Sequence, residues 1–206
     1  MIRRAGLALI AVGVSLSAWI GVTLWWGDPI TSLYTRHEQR VLSRRLDRLD
    51  RLWAPPRQPS ALAFRRSVRD GRPIGRLMVP RLRLNMVVVE GTSESDLEKG
   101  PGHYAITSLP GMGGVVAIAG HRTTYLHPFR HLDDLRPGDG ITLRMPYGTF
   151  RYIVYYHRVV DSTDWSILRR RQFEKLVLSA CHPLYSASHR WVVFARLIAG
   201  ADTAPA

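Results

Sequence analysis

Residues 5–26 contain no charged side chain, and a helix of that length rising about 1.5 Å per residue would extend roughly 33 Å, the depth of a bilayer core. Arg3 and Arg4 precede the run, and Trp25 and Trp26 close it where an aromatic belt would sit. A cleaved signal peptide needs only about 7–15 apolar residues and a small-x-small site after them. The run is longer and no such site follows, so the pattern predicts an uncleaved anchor within residues 1–27. Beyond it, Leu42, Leu46, Leu49 and Trp53 recur at helical intervals with arginines between them. This predicts an amphipathic helix over residues 35–53, a stalk that packs on the following domain or on a partner copy, with a helix lying on anionic headgroups as the rival. Residues 54–73 show no period and three early prolines, and read as a linker.

From about Gly75 the pattern changes to short runs rich in Val, Ile and aromatics. Strands are predicted over residues 77–79, 86–90, 115–119, 141–145, 149–158, 175–180 and 191–197. Glycine- and proline-bearing turns at residues 111–114, 137–140 and 146–148 separate several of them. Ser93 and Asp96 form a capping-box pattern that opens a short helix ended by Gly100, and a second short helix is expected over residues 128–135. Many short strands with frequent turns predict an all-β closed barrel or sandwich. The organisation expected is an anchor in 1–27, a basic helical stalk and linker in 28–73, a globular β domain in 74–200 and a tail in 201–206.

Charge narrows the surroundings but not the function. The chain has 29 Lys and Arg against 16 Asp and Glu, a net charge of +13, which attracts lipid headgroups, acidic wall polymer or nucleic acid alike. The basic residues concentrate beside the predicted span and no reading module is evident, so a nucleic-acid partner is not expected.

Candidate chemistry centres on Cys181, the only cysteine, which cannot form an internal disulfide and so is packing, a reactive thiol or an intermolecular link. A thiol attacks as thiolate and needs a nearby base or cation. Arg190 opens the apolar run after Cys181. If those two strands pair, the guanidinium lies near the thiol, where it can hold a carbonyl or an oxyanion but cannot act as a base. Of eight histidines, His121 follows a strand directly, and Gly120 before it permits close approach of the backbone to a substrate. His182 adjoins the cysteine, but neighbours on an extended chain point to opposite faces. His103, His127, His131, His157 and His189 lack such a setting. One cysteine with scattered histidines does not supply a zinc site, residues 111–114 do not form a phosphate loop, and Asp133 and Asp134 read as solvated or salt-bridged. No cofactor and no metal are expected.

Three segments resemble sortases. Arg76-Leu77-Met78-Val79-Pro80 with Val89-Glu90-Gly91-Thr92 is similar to the family's opening strands. Gly100-Pro101-Gly102-His103-Tyr104, Leu109-Pro110-Gly111 and Ala119-Gly120-His121-Arg122 are similar to the stretch that ends in its catalytic histidine. Leu178-Ser179-Ala180-Cys181-His182-Pro183 with Arg190 is similar to its cysteine strand and catalytic arginine. The Gly120-His121-Arg122-Thr123-Thr124, Phe129-Arg130-His131-Leu132 and Cys181-His182-Pro183 stretches look most like class E sortases. The chain departs from the family's T-L-x-T-C pattern at Val177 and Ala180.

The resemblance implies an eight-stranded sortase β-barrel. It further implies a membrane-anchored cysteine transpeptidase that cleaves an LPXTG-like motif, LAXTG for class E, between Thr and Gly. Cys181 would be the nucleophile, His121 the acid and base, Arg190 the carbonyl or oxyanion holder, and Ala180, Gly120 and Thr123 would touch substrate. Its partners would be secreted proteins with a C-terminal sorting motif and an amine of a peptidoglycan precursor or pilin. The catalytic domain would lie outside a Gram-positive-type membrane. A thiol hydrolase that transfers to water, and a non-catalytic basic surface-binding protein on the same barrel, are the alternatives.

Overall fold

A computed structural model describes residues 2–26, 29–53 and 61–200. Helix α1 (Ile2–Trp26) contains one segment, Arg3–Gly21, long and apolar enough to cross a membrane, and none of it is buried against the rest of the chain. Helix α2 (Pro29–Leu52) follows, then α3 (Ala61–Ser67). Eight strands come next: β1 (Pro73–Val79), β2 (Leu84–Glu90), β3 (Gly102–His103), β4 (Val115–Ala119), β5 (Gly140–Met145), β6 (Gly148–Asp161), β7 (Lys175–His182) and β8 (His189–Ala199). They close into a barrel in the order β1-β2-β3-β4-β7-β8-β6-β5. The short helix α4 (Glu94–Leu97) lies between β2 and β3 and carries the expected capping box of Ser93 and Asp96.

Most pairings are antiparallel, but β2–β3 and β4–β7 are parallel. Residue alternation sorts the apolar side chains of β4, β7 and β8 between two cores. Val116, Ile118, Leu176, Leu178, Ala180, Val193 and Ala195 fill the barrel interior. Val115, Ala117, Val177, Val192 and Phe194 form a second cluster with Ile167 and Leu168 of the β6–β7 connection and with Tyr104. Burial on both faces is why β4 and β7 read as continuous apolar runs and not as alternating ones.

The stalk helix packs on the barrel. Leu42 and Leu46 are buried against Val87 and Val89 of β2, and the Gln39 amide donates to the carbonyls of Val87 and Lys99 while its oxygen accepts from the Val87 N–H. The linker expectation fails for residues 61–72, and its residues 54–60 lie outside the described ones, as does the tail 201–206. Helix α3 belongs to the folded unit because Phe64 is 2% exposed, with its ring centroid 5.3 Å from those of both Trp53 and Tyr147. A single buried aromatic in seven residues leaves no periodicity to find.

Two further expectations change. The helix expected over 128–135 is only a 3-10 turn at Leu132–Asp134. The bonds Leu132 N–H to Phe129 and Asp134 N–H to His131 are of the i to i−3 kind, and Phe129, Leu132 and Leu135 are all fully buried, a spacing that suits three residues per turn. Strand β3 was not signalled by any run, because it has two residues and is held by polar contacts. Glu90 of β2 is its register partner at His103. The carboxylate binds His103 Nδ1 at 2.7 Å and accepts from Arg65 of α3 at 2.9 Å, while His103 Nε2 meets the Ser108 carbonyl and the Thr107 hydroxyl. A Phe64→Ala substitution should therefore destabilise the protein by about 3–5 kcal/mol, read as a lowered urea midpoint by tryptophan fluorescence. A change near zero would return residues 61–67 to the role of a linker.

Candidate active site

Cys181 and Arg190 are cross-strand partners in the antiparallel β7–β8 ladder. Partners share a face and hold their Cβ atoms about 4.5–5.5 Å apart. That face is the outer one, since Cys181 has the parity of Val177, and Arg190 that of Val192 and Phe194. The thiol is half-buried. The Arg190 guanidinium donates to the carbonyls of Ala187 and His189 in the β7–β8 connection.

His121 reaches the same place from β4. The parallel β4–β7 register pairs Ala119 with Ser179, and the Gly120 N–H donates to the Ser179 carbonyl at 3.1 Å. His121 and Cys181 are thus both two residues past the last ladder pair, at the same end of the barrel. Three adjacent strands therefore bring His121, Cys181 and Arg190 to one rim.

The His121 imidazole is enclosed. Its ring centroid is 5.1 Å from that of Tyr125, and its Nε2 is buried without a hydrogen-bond partner. Burial pushes its pKa below the ordinary histidine value, against the pull of the Glu98 and Glu94 carboxylates. A buried nitrogen left unpaired costs stability, and such an atom at a strand end is available to take or give a proton. Tyr125 is itself held, its hydroxyl donating to Glu98 and its N–H donating to the Thr31 hydroxyl of α2. Tyr125, Leu126 and His127 all have positive φ, a run of left-handed backbone that non-glycine residues adopt only under constraint.

The other expected contacts divide. Ala180 is 3% exposed and lies in the interior core, so its side chain faces away from Cys181 and does not line the outer face. A Cβ on Gly120 would come within 2.7 Å of the Phe129 ring; the space beside this glycine is filled by Phe129. Thr123 is half-exposed at the start of the loop after His121. His182 turns to the face opposite Cys181, its ring 5.6 Å from that of Trp191.

Arg122 was not singled out from the sequence. It is 3% exposed, and its guanidinium binds the Arg130 carbonyl, the Asp133 carboxylate at 2.8 Å, the Cys181 carbonyl at 3.5 Å and His182 Nδ1 at 3.3 Å. Nothing in composition marks one buried arginine among many exposed ones. Asp133 is salt-bridged as expected, though to Arg122.

A family model described as Sortase domain matches residues 77–198, more than half of the chain. Sortase D of Bacillus subtilis is 33% identical over 132 residues, 62% of this chain and 65% of the relative. Sortase SrtE1 of Streptomyces coelicolor is 26% identical over 212 residues, 95% of this chain and 57% of the relative. The chain thus spans about three-fifths of the length of these relatives. Among solved structures, sortase E from Streptomyces avermitilis is 34% identical with a TM-score of 0.58, covering 64% of this chain and 91% of its own.

Burial of His121 fixes the direction of its titration. Its NMR midpoint should lie below about 6.5, the ordinary histidine value, and Tyr125→Ala, which uncovers the ring, should move it upward. Because the unfolded chain binds this proton more readily, the fold should also lose stability as pH falls through the histidine range. A midpoint at or above 6.5 in the intact protein would refute the enclosure.

Proposed function

The chain belongs to the sortase family, and on that premise we propose that it is a membrane-anchored cysteine transpeptidase whose reacting groups are Cys181, His121 and Arg190. The observation that carries this reading is the convergence of the three residues at the ends of β4, β7 and β8, on one side of the barrel. The substrate is an LPXTG-like sorting motif at the C-terminal end of a secreted protein. The likeness to class E sequences favours LAXTG.

In the proposed reaction the Cys181 sulfur attacks the carbonyl carbon between Thr and Gly, and its proton passes to His121. Arg190 leaves the Ala187 and His189 carbonyls to hold the developing oxyanion. The C–N bond then breaks, the proton moves from His121 to the departing glycine amine, and a thioester acyl-enzyme remains. His121 next takes a proton from the incoming amine of a peptidoglycan precursor or pilin lysine, whose nitrogen displaces the Cys181 sulfur and forms the new amide, and His121 returns that proton to the sulfur, restoring thiol and neutral imidazole. A neutral imidazole in the resting state, which burial favours, is the form able to accept the first proton.

The unburied apolar surface of α1 suits a lipid environment. With Arg3 and Arg4 on the cytoplasmic side, the anchor runs inside to outside and places the barrel where secreted substrates and wall amines are found.

Incubation with a peptide containing LAXTG should give cleavage after Thr, and an added amine should divert the product into a new amide. Cys181→Ala should abolish both, and Arg190→Ala should lower turnover by about 10²-fold, the usual effect of removing one oxyanion donor. Hydrolysis indifferent to the amine would instead establish a thiol hydrolase. Cleavage that survives both substitutions would leave a non-catalytic barrel.

A further inference from the structure

Where β4 and β7 cease to pair, nothing in the backbone ladder holds the two segments in register. Gly120 N–H to the Ser179 carbonyl is the last bond between them, yet His121 and Cys181 lie beyond it. The side chain of Arg122 occupies this gap from the opposite face of the sheet. One arm of its guanidinium reaches the Cys181 carbonyl and His182 Nδ1 on β7, and the other the Asp133 carboxylate and Arg130 carbonyl in the segment after the His121 loop.

We propose that Arg122 is a positioning residue, which sets the Cys181 segment against the His121 segment after the β-ladder has ended. This rests on the reading of Cys181 and His121 as a reacting pair. Only a planar fork with five donors can serve both sides at once. A lysine carries the same charge but offers a single nitrogen, so it can hold one side or the other. Because Arg122 adjoins His121 in sequence and touches the residue 181 backbone, its loss misaligns the pair without removing either group, and displacements of about 1 Å at a reacting centre cost up to 10²-fold in rate.

The test compares the full-length protein in detergent with Arg122→Lys, Arg122→Gln, Asp133→Asn and His121→Ala. Cys181 is the only cysteine, so the pH dependence of its alkylation by iodoacetamide reports this thiol without any assumption about the peptide. Arg122→Lys should displace that pH profile in the same direction as His121→Ala. It should lower kcat for LAXTG peptide by at least about tenfold with KM within about twofold. Asp133→Asn, which loosens the fork from outside, should lower kcat by a smaller factor in the same sense. If Arg122→Gln does not fold, the lysine and asparagine variants decide the matter. Wild-type kcat and alkylation profile in Arg122→Lys, or a change confined to thermal stability, would overturn the positioning role. If His121→Ala itself leaves the alkylation profile unchanged, it is the pairing of His121 with Cys181 that fails.

Discussion

The parallel pairing of β4 with β7 is the constraint on which the candidate site depends. In an antiparallel pair, the ends of two strands that point the same way along the chain lie at opposite rims. In a parallel pair they lie at the same one. Joining residues 115–119 to 175–179 in register therefore sends the residues that follow each strand, His121 and Cys181, out of the same edge of the barrel. Antiparallel pairing of β7 with β8 then returns the chain so that Arg190 stands beside Cys181. Parallel strands need a long crossover, and the intervening β5 and β6 supply it by closing the far side of the barrel.

The same arrangement accounts for how the rim is walled. The outer face of β4, β7 and β8 packs against Ile167, Leu168 and Tyr104, and the candidate residues lie beyond this cluster at the strand ends. On the other flank, Tyr125 covers His121 and is tied to α2 and to Glu98. The helix after the predicted span is thus built into the side of the barrel by Leu42, Leu46 and Gln39, and its first turns reach the loop that carries the histidine. Helix α2 thus joins the flank of the barrel to the loop after His121.

Much of the barrel was legible because its strands are apolar on both faces or alternate cleanly, and each such run is a local statement. Seven of the eight strands were visible for that reason, as was the stripe of α2. The eighth, β3, was not, since its two residues are held by Glu90 and His103 across strands. Phe64 in α3 and the 3-10 turn at 132–134 escaped for the same cause: a lone anchoring side chain and a spacing of three become meaningful only against a surface that other segments provide.

At the site, sequence supplied the chemistry of the individual groups. A lone thiol, a histidine just past a strand and an arginine opening one made Cys181, His121 and Arg190 candidates, because nucleophilicity, basicity and fixed charge belong to the residue types themselves, and the resemblance to sortases joined them into one proposed site. What the tertiary structure decided was everything that depends on relation. It turned Ala180 into the barrel core, it buried His121 Nε2 beside Tyr125, and it drew Arg122 out of a crowd of surface arginines into a bridge between two segments of the chain. Alternation and periodicity are carried by neighbours a few residues apart. The enclosure of an imidazole and the reach of a guanidinium from residue 122 to residue 181 depend on pairings across some sixty residues, which no local pattern records.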